Sequence, residues 1–375
     1  MKRLPLLLLI LLLCHASAQD TDTAAPHESE LLVLEQAAAA DPEDALAALD
    51  LARAYRRLGR DKQAESIYAR IIAGGGGITP ENRADAFNSL GFLCQSRKDY
   101  AGAIELYRKA IELRPDWSRP LLHIGTCQMD QGKLVDAEDT LKAAIKLDKA
   151  DASARNALGI VYYRLKKPEA AEREYRAAAV LKPGWIAPHW NLVLLYDSQG
   201  QYRESDRCLD AILRIDPAHF GALYQRVQHL VGRRDYGMAE SYARKLVSLH
   251  AGSAESHEAL GMVLWSREKM EAAEESFRRA MKADPNYAGG CLGMGHVRYH
   301  QRRFGEAEEF YRRAIELDPA LDDPKLGYES ARRAREREKT GGGCSAAPAF
   351  AQASPLGLLP YLAVILTALF VRRRV

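Results

Sequence analysis

The chain keeps a period of 34 residues over most of its length. Five prolines mark this period: Pro115, Pro183, Pro217, Pro285 and Pro319. The spacing between each of them and the next is a multiple of 34 residues. A frame numbered from Ala84 continues through seven units to Leu321 without an insertion. A fixed period of this length indicates a solenoid, in which each repeat buries its apolar face against its neighbours.

Small residues recur at fixed positions of this frame. Position 8 is glycine in five of the seven units, and position 20 is alanine in six. Two helices that cross closely accept only such small residues at the crossing point. Segments such as residues 100–113 carry apolar residues at the i, i+3, i+4 and i+7 spacing of an amphipathic helix. No stretch alternates as a strand does, so the sequence predicts an all-α fold.

The pattern resembles the tetratricopeptide repeat (TPR) family, which has small residues at positions 8, 20 and 27 and proline just past the second helix. The resemblance implies an α-α superhelix, a TPR solenoid of about eight helix-turn-helix repeats. Residues 84–321 are expected to form seven contiguous repeats, and residues 45–78 an earlier one. Residues 19–44 are expected to form a linker and a capping helix, and residues 322–339 a C-terminal capping helix.

One unit of the array, residues 220–253, departs most from the pattern. It has Arg226 where leucine is expected, Val227 for glycine, Ala243 for an aromatic residue and Ala251 for proline. In a solenoid held by nearest-neighbour contacts, a poor unit weakens both of its interfaces. We therefore expect this unit to be the least stable repeat of the array, the weakest joint between its neighbours.

The N-terminal residues 1–18 have the composition of a signal peptide. Lys2 and Arg3 precede an apolar run, and a small-x-small site ends at Ala18. The run is too short to span a bilayer comfortably, which favours cleavage after Ala18 over a signal anchor. Export is therefore expected.

The C-terminal residues have three parts: a small-residue linker at 340–355 that contains Cys344, an apolar segment at 356–371 and a basic tail at 372–375. The apolar segment is short for a transmembrane helix, and the basic tail would lie on the cytoplasmic side. The arrangement resembles MYXO-CTERM sorting signals, which implies cleavage near Gly343 and Cys344 and transfer toward the cell surface. A retained anchor, with the repeats on the periplasmic face of the inner membrane, is the alternative.

Motifs for catalysis and cofactor binding are missing from the sequence. It has no nucleophile elbow, no H-E-x-x-H and no haem attachment pair, so neither enzymatic activity nor a cofactor is expected. His296 and His300 have a spacing compatible with metal, but no third ligand is evident and a polar patch is the preferred interpretation. The formal charge of +3 falls to −2 without the five basic residues at the two ends. This argues against a nucleic-acid partner.

The repeats contain four cysteines, which are expected to be buried free thiols: Cys94, Cys127, Cys208 and Cys291. Cys94 and Cys127 occupy neighbouring frame positions in adjacent units. They are the one pair that a disulfide test would address.

The resemblance implies that positions 5, 9 and 12 of each first helix face a concave groove. These positions are rich in aromatic and aliphatic residues, and large aromatic residues are favoured anchors in protein interfaces. The predicted groove residues are Phe92, Asn156, Ile160, Tyr163, Trp190, Leu194, Tyr224, Met262, Trp265 and Tyr299.

Two classes of function stay open. The favoured one is a non-catalytic scaffold that binds a peptide segment of a protein partner in the groove, for example as an accessory subunit of a secretion or surface-polymer machine. The other is a carbohydrate or cell-wall adaptor. In that class tryptophan and tyrosine would stack on sugar rings, while Asn156, Asp197 and Gln228 bind hydroxyl groups.

Overall fold

The computed structural model describes residues 28–41, 44–74 and 78–339. Over these residues the protein has eighteen helices and no strand, which confirms the predicted all-α class. The helices are α1 Glu28–Ala40, α2 Ala45–Arg57, α3 Asp61–Ala73, α4 Pro80–Ser96, α5 Tyr100–Leu113, α6 Ser118–Asp130, α7 Leu134–Leu147, α8 Ala152–Arg164, α9 Pro168–Leu181, α10 Ile186–Ser198, α11 Tyr202–Ile215, α12 Phe220–Gly232, α13 Tyr236–Leu249, α14 Ala254–Ser266, α15 Met270–Ala283, α16 Ala288–His300, α17 Phe304–Leu317 and α18 Asp323–Lys339.

The helices from α2 to α17 form eight consecutive pairs, which we number repeat 1 (α2 and α3) to repeat 8 (α16 and α17). They belong to two compact units, an N-terminal unit that ends at Leu195 and a C-terminal unit that begins at Tyr196, within α10. From repeat 3 onward each first helix has 13 residues and each second helix has 14. The helix lengths therefore follow the 34-residue frame.

The turn between the two helices of every repeat contains one residue with positive φ. This residue stands at the same frame position in all eight repeats: Gly59, Lys98, Gly132, Lys166, Gly200, Arg234, Glu268 and Arg302. Five of them are not glycine, although the left-handed region favours glycine. The close packing of the two helices therefore imposes this conformation on whichever residue stands there.

The glycine at position 8 lies directly against the large residue at position 24 of the same repeat. A Cβ atom built on Gly159 would stand 2.6 Å from ring atoms of Tyr175, and one on Gly261 would stand 2.7 Å from the ring of Phe277. Both rings are almost fully buried. The absence of a side chain on the first helix thus makes room for an aromatic ring on the second.

In repeat 6 the larger residue stands at position 8 and the smaller one at position 24, the reverse of the usual arrangement. Val227 occupies the glycine position and Ala243 the aromatic position, and both are buried in one hydrophobic cluster. The larger residue has moved from the second helix to the first, so the two departures compensate each other. The sequence pattern shows Val227 and Ala243 as two departures from the repeat, whereas the structure places both in one buried cluster.

Ion pairs connect the second helices of several repeats to the repeat that follows. Glu65 pairs with Arg97, and the Oε2 atom of Glu138 accepts a hydrogen bond from Lys167 Nζ at 3.0 Å. In the C-terminal unit, Glu240 Oε2 accepts from Lys269 Nζ at 3.0 Å. The acidic member of each pair stands at the same frame position of its repeat.

Helices α1 and α18 cover the two ends of the described array. Leu31 of α1 packs into the core of repeat 1, and Glu35 accepts a hydrogen bond from Tyr55 Oη at 2.7 Å. Gly327 of α18 lies against the ring of Tyr311, in the same way as the position-8 glycines Gly159 and Gly261 lie against aromatic rings. Helix α18 therefore packs like the first helix of a further repeat, while its remaining face is strongly charged.

The expected terminal segments lie outside the described residues. These are the signal peptide with Ala18, and the C-terminal segments with Gly343 and Cys344. Among the helices that the structure does describe, none is both long and apolar enough to cross a bilayer.

Candidate partner-binding surface

The first helices of successive repeats contact one another within each unit, as α6 contacts α8 and α14 contacts α16. Seven of the ten predicted groove residues are half-buried and keep exposed surface: Phe92, Tyr163, Trp190, Leu194, Met262, Trp265 and Tyr299. Asn156, Ile160 and Tyr224 are at most 1% exposed. These three therefore form the layer beneath the surface and cannot contact a partner directly in this conformation.

In the N-terminal unit, the ring of Phe92 belongs to a group of stacked side chains. The guanidinium of Arg56 lies 4.6 Å from the centre of this ring, and His123 approaches it edge-on at 6.3 Å. The other face of His123 stacks on Tyr107 at 5.1 Å. Helices α2, α4, α5 and α6 each contribute one of these side chains, so repeats 1 to 3 together fix their orientation.

A cavity of about 320 Å³ lies beside this group, and we call it the arginine pocket. Helix α2 contributes three arginines and α6 contributes a fourth, while Asp85 is the single acidic residue of the lining. Arg53 reaches Asp85 at 3.4 Å. The other lining residues are Asn88, Ser89, Phe92, Trp117 and His123.

The four arginines of the arginine pocket are not among the predicted groove residues. The predicted groove residues begin in repeat 2, whereas positions 9 and 12 of repeat 1 are Arg53 and Arg56. Arg119 stands at position 2, which is not a groove position in the predicted pattern. The tertiary structure brings it to the same cavity.

The polar groups assigned to sugar binding are used within the protein. Asn156 Oδ1 accepts a hydrogen bond from Asn191 Nδ2 at 2.8 Å. Asp197 accepts from Gln225 at 2.8 Å and lies 3.1 Å from His229 Nε2. Under the carbohydrate alternative, the aromatic residues remain available to stack on sugar rings. Two of the three side chains assigned to bind sugar hydroxyl groups, Asn156 and Asp197, already bind other side chains of the protein.

In the C-terminal unit, Trp265 packs against His296 with a ring distance of 5.6 Å. Tyr311 Oη lies 3.0 Å from His296 Nδ1, and burial lowers the pKa of this histidine to about 4. His296 is therefore a neutral packing residue at physiological pH. No group of three or more histidine, cysteine, aspartate or glutamate side chains in the described part of the chain is arranged to hold a metal ion.

Glu258 occupies a groove position of repeat 7 but is only 6% exposed. Its Oε2 atom accepts a hydrogen bond from Tyr287 Oη at 2.6 Å, and a Cβ atom on Gly289 would stand 2.7 Å from its Oε1. The pKa of this carboxyl is raised to about 7, chiefly by burial; the hydrogen bond from Tyr287 lowers the pKa and the nearby Glu255 raises it. Glu258 is thus an ionisable group that titrates near neutral pH inside the repeat array.

A charged cluster between α11 and α12 was not foreseen. The Oδ1 atom of Asp206 lies 2.9 Å from Arg226 Nη1 and 2.8 Å from His229 Nδ1, and Arg233 pairs with Oδ2. Burial lowers the pKa of His229, but hydrogen bonds to Asp197 and Asp206 outweigh burial and raise it overall. Arg226 is therefore accommodated by a charge partner at a position where the repeat normally has an apolar residue. Whether this repeat is the weakest joint stays a prediction.

The four repeat cysteines are free thiols. Cys94 and Cys127 pack in the same hydrophobic cluster as Tyr107 and Ile124. Burial is the main cause that raises the pKa of both thiols, to about 12 for Cys127. Both side chains are therefore protonated and unreactive at neutral pH.

Paired helices of constant length, with half-buried aromatic residues on the first-helix face, define a helical repeat protein. Models of the tetratricopeptide repeat match residues 16–75, 96–161, 187–219, 224–288 and 288–321, together more than half of the chain. The chain belongs to the tetratricopeptide repeat family.

Curated relatives match part of this chain. The human Protein O-mannosyl-transferase TMTC3 is 24% identical over 58% of this chain and 25% of its own length. The Drosophila melanogaster BBSome complex member BBS4 homolog is 22% identical over 53% of this chain and 41% of its own length. The chain therefore spans less than half of either relative.

A solved structure supports the fold. The C-terminal part of a TPR repeat-containing protein from Cytophaga hutchinsonii aligns with a TM-score of 0.53 and 13% identity. The alignment covers 64% of this chain and 98% of that protein.

Proposed function

We propose that the protein is a non-catalytic scaffold that binds a peptide segment of a partner protein on the face formed by its first helices. The observation that carries this proposal is the set of half-buried residues on that face, including Phe92, Tyr163 and Trp190 of the N-terminal unit. Half-buried aromatic side chains on a rigid framework lose little conformational entropy when a partner covers them. The relative named as a member of the BBSome complex acts in an assembly, which is consistent with a scaffold role.

The first test is a pull-down with the full-length chain as bait. The variant Trp190→Ala/Trp265→Ala is expected to retain the partner several-fold less well, because an anchor aromatic is commonly worth about 2 kcal/mol. Trp185→Ala is the matched control, since Trp185 is also half-buried but lies in the turn before α10. Equal retention by the double variant and the wild type would place the partner on another face.

The proposal includes export and C-terminal processing. Residues 1–18 serve as a cleaved signal peptide, and the segment 356–371 with its basic tail serves as a sorting signal or membrane anchor. Intact-mass measurement of the protein purified from its native envelope is expected to show a start at Gln19 and an end near Cys344. A species that ends at Val375 with an unmodified Cys344 would leave only the anchor.

A further inference from the structure

We propose that the carboxylates of Glu255 and Glu258 bind a basic side chain, lysine or arginine, of the partner segment. This inference rests on the proposed peptide-binding function and adds the charge of the bound segment. It concerns the C-terminal unit alone. We call the two carboxylates, together with the hydroxyls of Tyr224 and Tyr287, the acidic site.

The first argument is the missing counter-charge. Five carboxylate side chains are buried in the described part of the chain: Asp206, Glu240, Glu255, Glu258 and Glu308. Three of them form ion pairs: Asp206 with Arg226, Glu240 with Lys269 and Glu308 with Arg335. Glu255 and Glu258 are 8% and 6% exposed and form no such pair among the residues that the structure describes. Because a buried carboxylate without a cation is costly, a cation from outside the chain would be stabilised there.

The second argument is an unused hydroxyl beside the carboxylates. Tyr224 is 1% exposed, and its buried Oη atom meets hydrogen-bond geometry with no group in the described residues. Burial raises the pKa of Tyr224 most and the carboxylates of Glu258 and Glu255 raise it further, while the nearby Gln228 lowers it. The Oη atom therefore lies close to both carboxylates. It adds a third oxygen acceptor for the N–H groups of an ammonium or guanidinium.

The third argument is space beside Glu258. Its Oε2 atom accepts the hydrogen bond from Tyr287, whereas its Oε1 atom faces Gly289, where a Cβ atom would stand only 2.7 Å away. Residue 289 has no side chain, so Oε1 stays uncovered on that side. Glu258 stands at frame position 5, one of the positions that face the groove in the predicted pattern. A donor on a partner segment can therefore approach Oε1.

The fourth argument is the apolar surface next to the acidic site. Met262 and Trp265 follow Glu258 by four and seven residues on α14, which places all three on one helix face. Both Met262 and Trp265 are half-buried and keep exposed surface. Lysine and arginine bury their aliphatic stems on such surface while the charged group reaches a polar site. The surface therefore suits a basic residue flanked by apolar ones.

The test uses labelled peptides that share a leucine and serine framework and differ only at one central position, which carries lysine, arginine or norleucine. All have acetylated N-termini and amidated C-termini, so the central side chain is the only cation. Fluorescence anisotropy with the full-length protein at pH 8 is expected to show at least tenfold tighter binding of the two basic peptides than of the norleucine peptide. If neither basic peptide binds more tightly than the norleucine peptide, the inference is overturned.

The pH dependence tests whether Glu258 holds the cation. Glu258 faces three titratable groups: Glu255 on its own helix, Tyr224 on α12 and Tyr287 before α16. Its own pKa is raised to about 7, chiefly by burial, and a bound cation favours the ionised form. The preference for lysine over norleucine should therefore fall several-fold from pH 8 to pH 5.5. Calorimetry at pH 7 in two buffers of different ionisation heat should show release of about half a proton. Binding without proton release would contradict the assignment to Glu258.

Glu258→Gln keeps an acceptor for Tyr287 Oη but removes the charge. This variant is expected to bind the lysine peptide at least tenfold more weakly, to release no proton and to bind the norleucine peptide as the wild type does. Glu271→Gln is the control, because it removes the same charge from an exposed position on α15 of the same repeat. An equal loss in this control would show a non-specific charge effect and would contradict the acidic site.

The outcomes separate this inference from the proposed function. If the norleucine peptide binds as tightly as the lysine peptide, and Trp265→Ala weakens both, peptide binding stands and the basic specificity fails. If no peptide binds and the pull-down is indifferent to Trp190 and Trp265, the proposed function fails as well. Spermine that displaces the lysine peptide at equal concentration would identify a general site for amines and also overturn the inference.

Discussion

Gly159→Val is expected to lower the free energy of unfolding by about 3 kcal/mol, because it forces a side chain into a filled space. Even a Cβ atom at this position would stand 2.6 Å from ring atoms of Tyr175, which is 1% exposed and cannot move aside. Chemical denaturation followed by circular dichroism measures the loss. Gly184→Val is the control, since nothing lies within 4 Å of a Cβ atom on Gly184.

The same variant allows a test of the size exchange seen in repeat 6. Tyr175→Ala alone is expected to cost about 3 to 5 kcal/mol through the cavity it leaves. The double variant Gly159→Val/Tyr175→Ala reproduces the pairing of Val227 with Ala243. We expect it to lose less free energy of unfolding than the two single variants lose together, by at least about 1 kcal/mol. Additive losses would mean that positions 8 and 24 are not coupled through shared space.

Glu258→Gln is expected to stabilise the protein at pH 8 by about 2 to 4 kcal/mol and to remove part of its pH dependence. The folded-state pKa of Glu258 is raised from 4.5 to about 7, chiefly by burial. Between these two pH values the folded state binds more protons than the unfolded state. The contribution of Glu258 to stability therefore falls as the pH rises from 4.5 to about 7 and is constant above that range.

Glutamine keeps an acceptor for Tyr287 Oη but carries no charge, so it resembles the protonated carboxyl. Thermal unfolding should show that Glu258→Gln raises the Tm more at pH 8 than at pH 5.5, because at pH 5.5 the carboxyl of the folded wild type is already largely protonated. Glu309→Gln is the control, because Glu309 is exposed on α17 of the same unit. A lower Tm for Glu258→Gln at pH 8 would mean that the ionised carboxylate stabilises the fold.

The candidate surface was predicted in part. The frame positions identified residues such as Trp190 and Trp265, which keep exposed surface, but they also selected Ile160 and Tyr224, which are buried. The frame position of a residue determines on which face of its helix the side chain lies. How much of it remains exposed depends on the helices of the neighbouring repeats, which a single repeat does not specify.

The 34-residue period by itself determined the fold class, because glycine at position 8 and alanine at position 20 permit only closely crossed helices at that spacing. Only the tertiary structure showed that the turn residue of every repeat has positive φ, that Val227 and Ala243 exchange sizes, and that Arg53 and Arg119 share one cavity. Each of these depends on side chains that meet across helices, many residues apart in the chain. Periodicity describes one repeat at a time, whereas charge and volume are balanced between residues that only folding brings together.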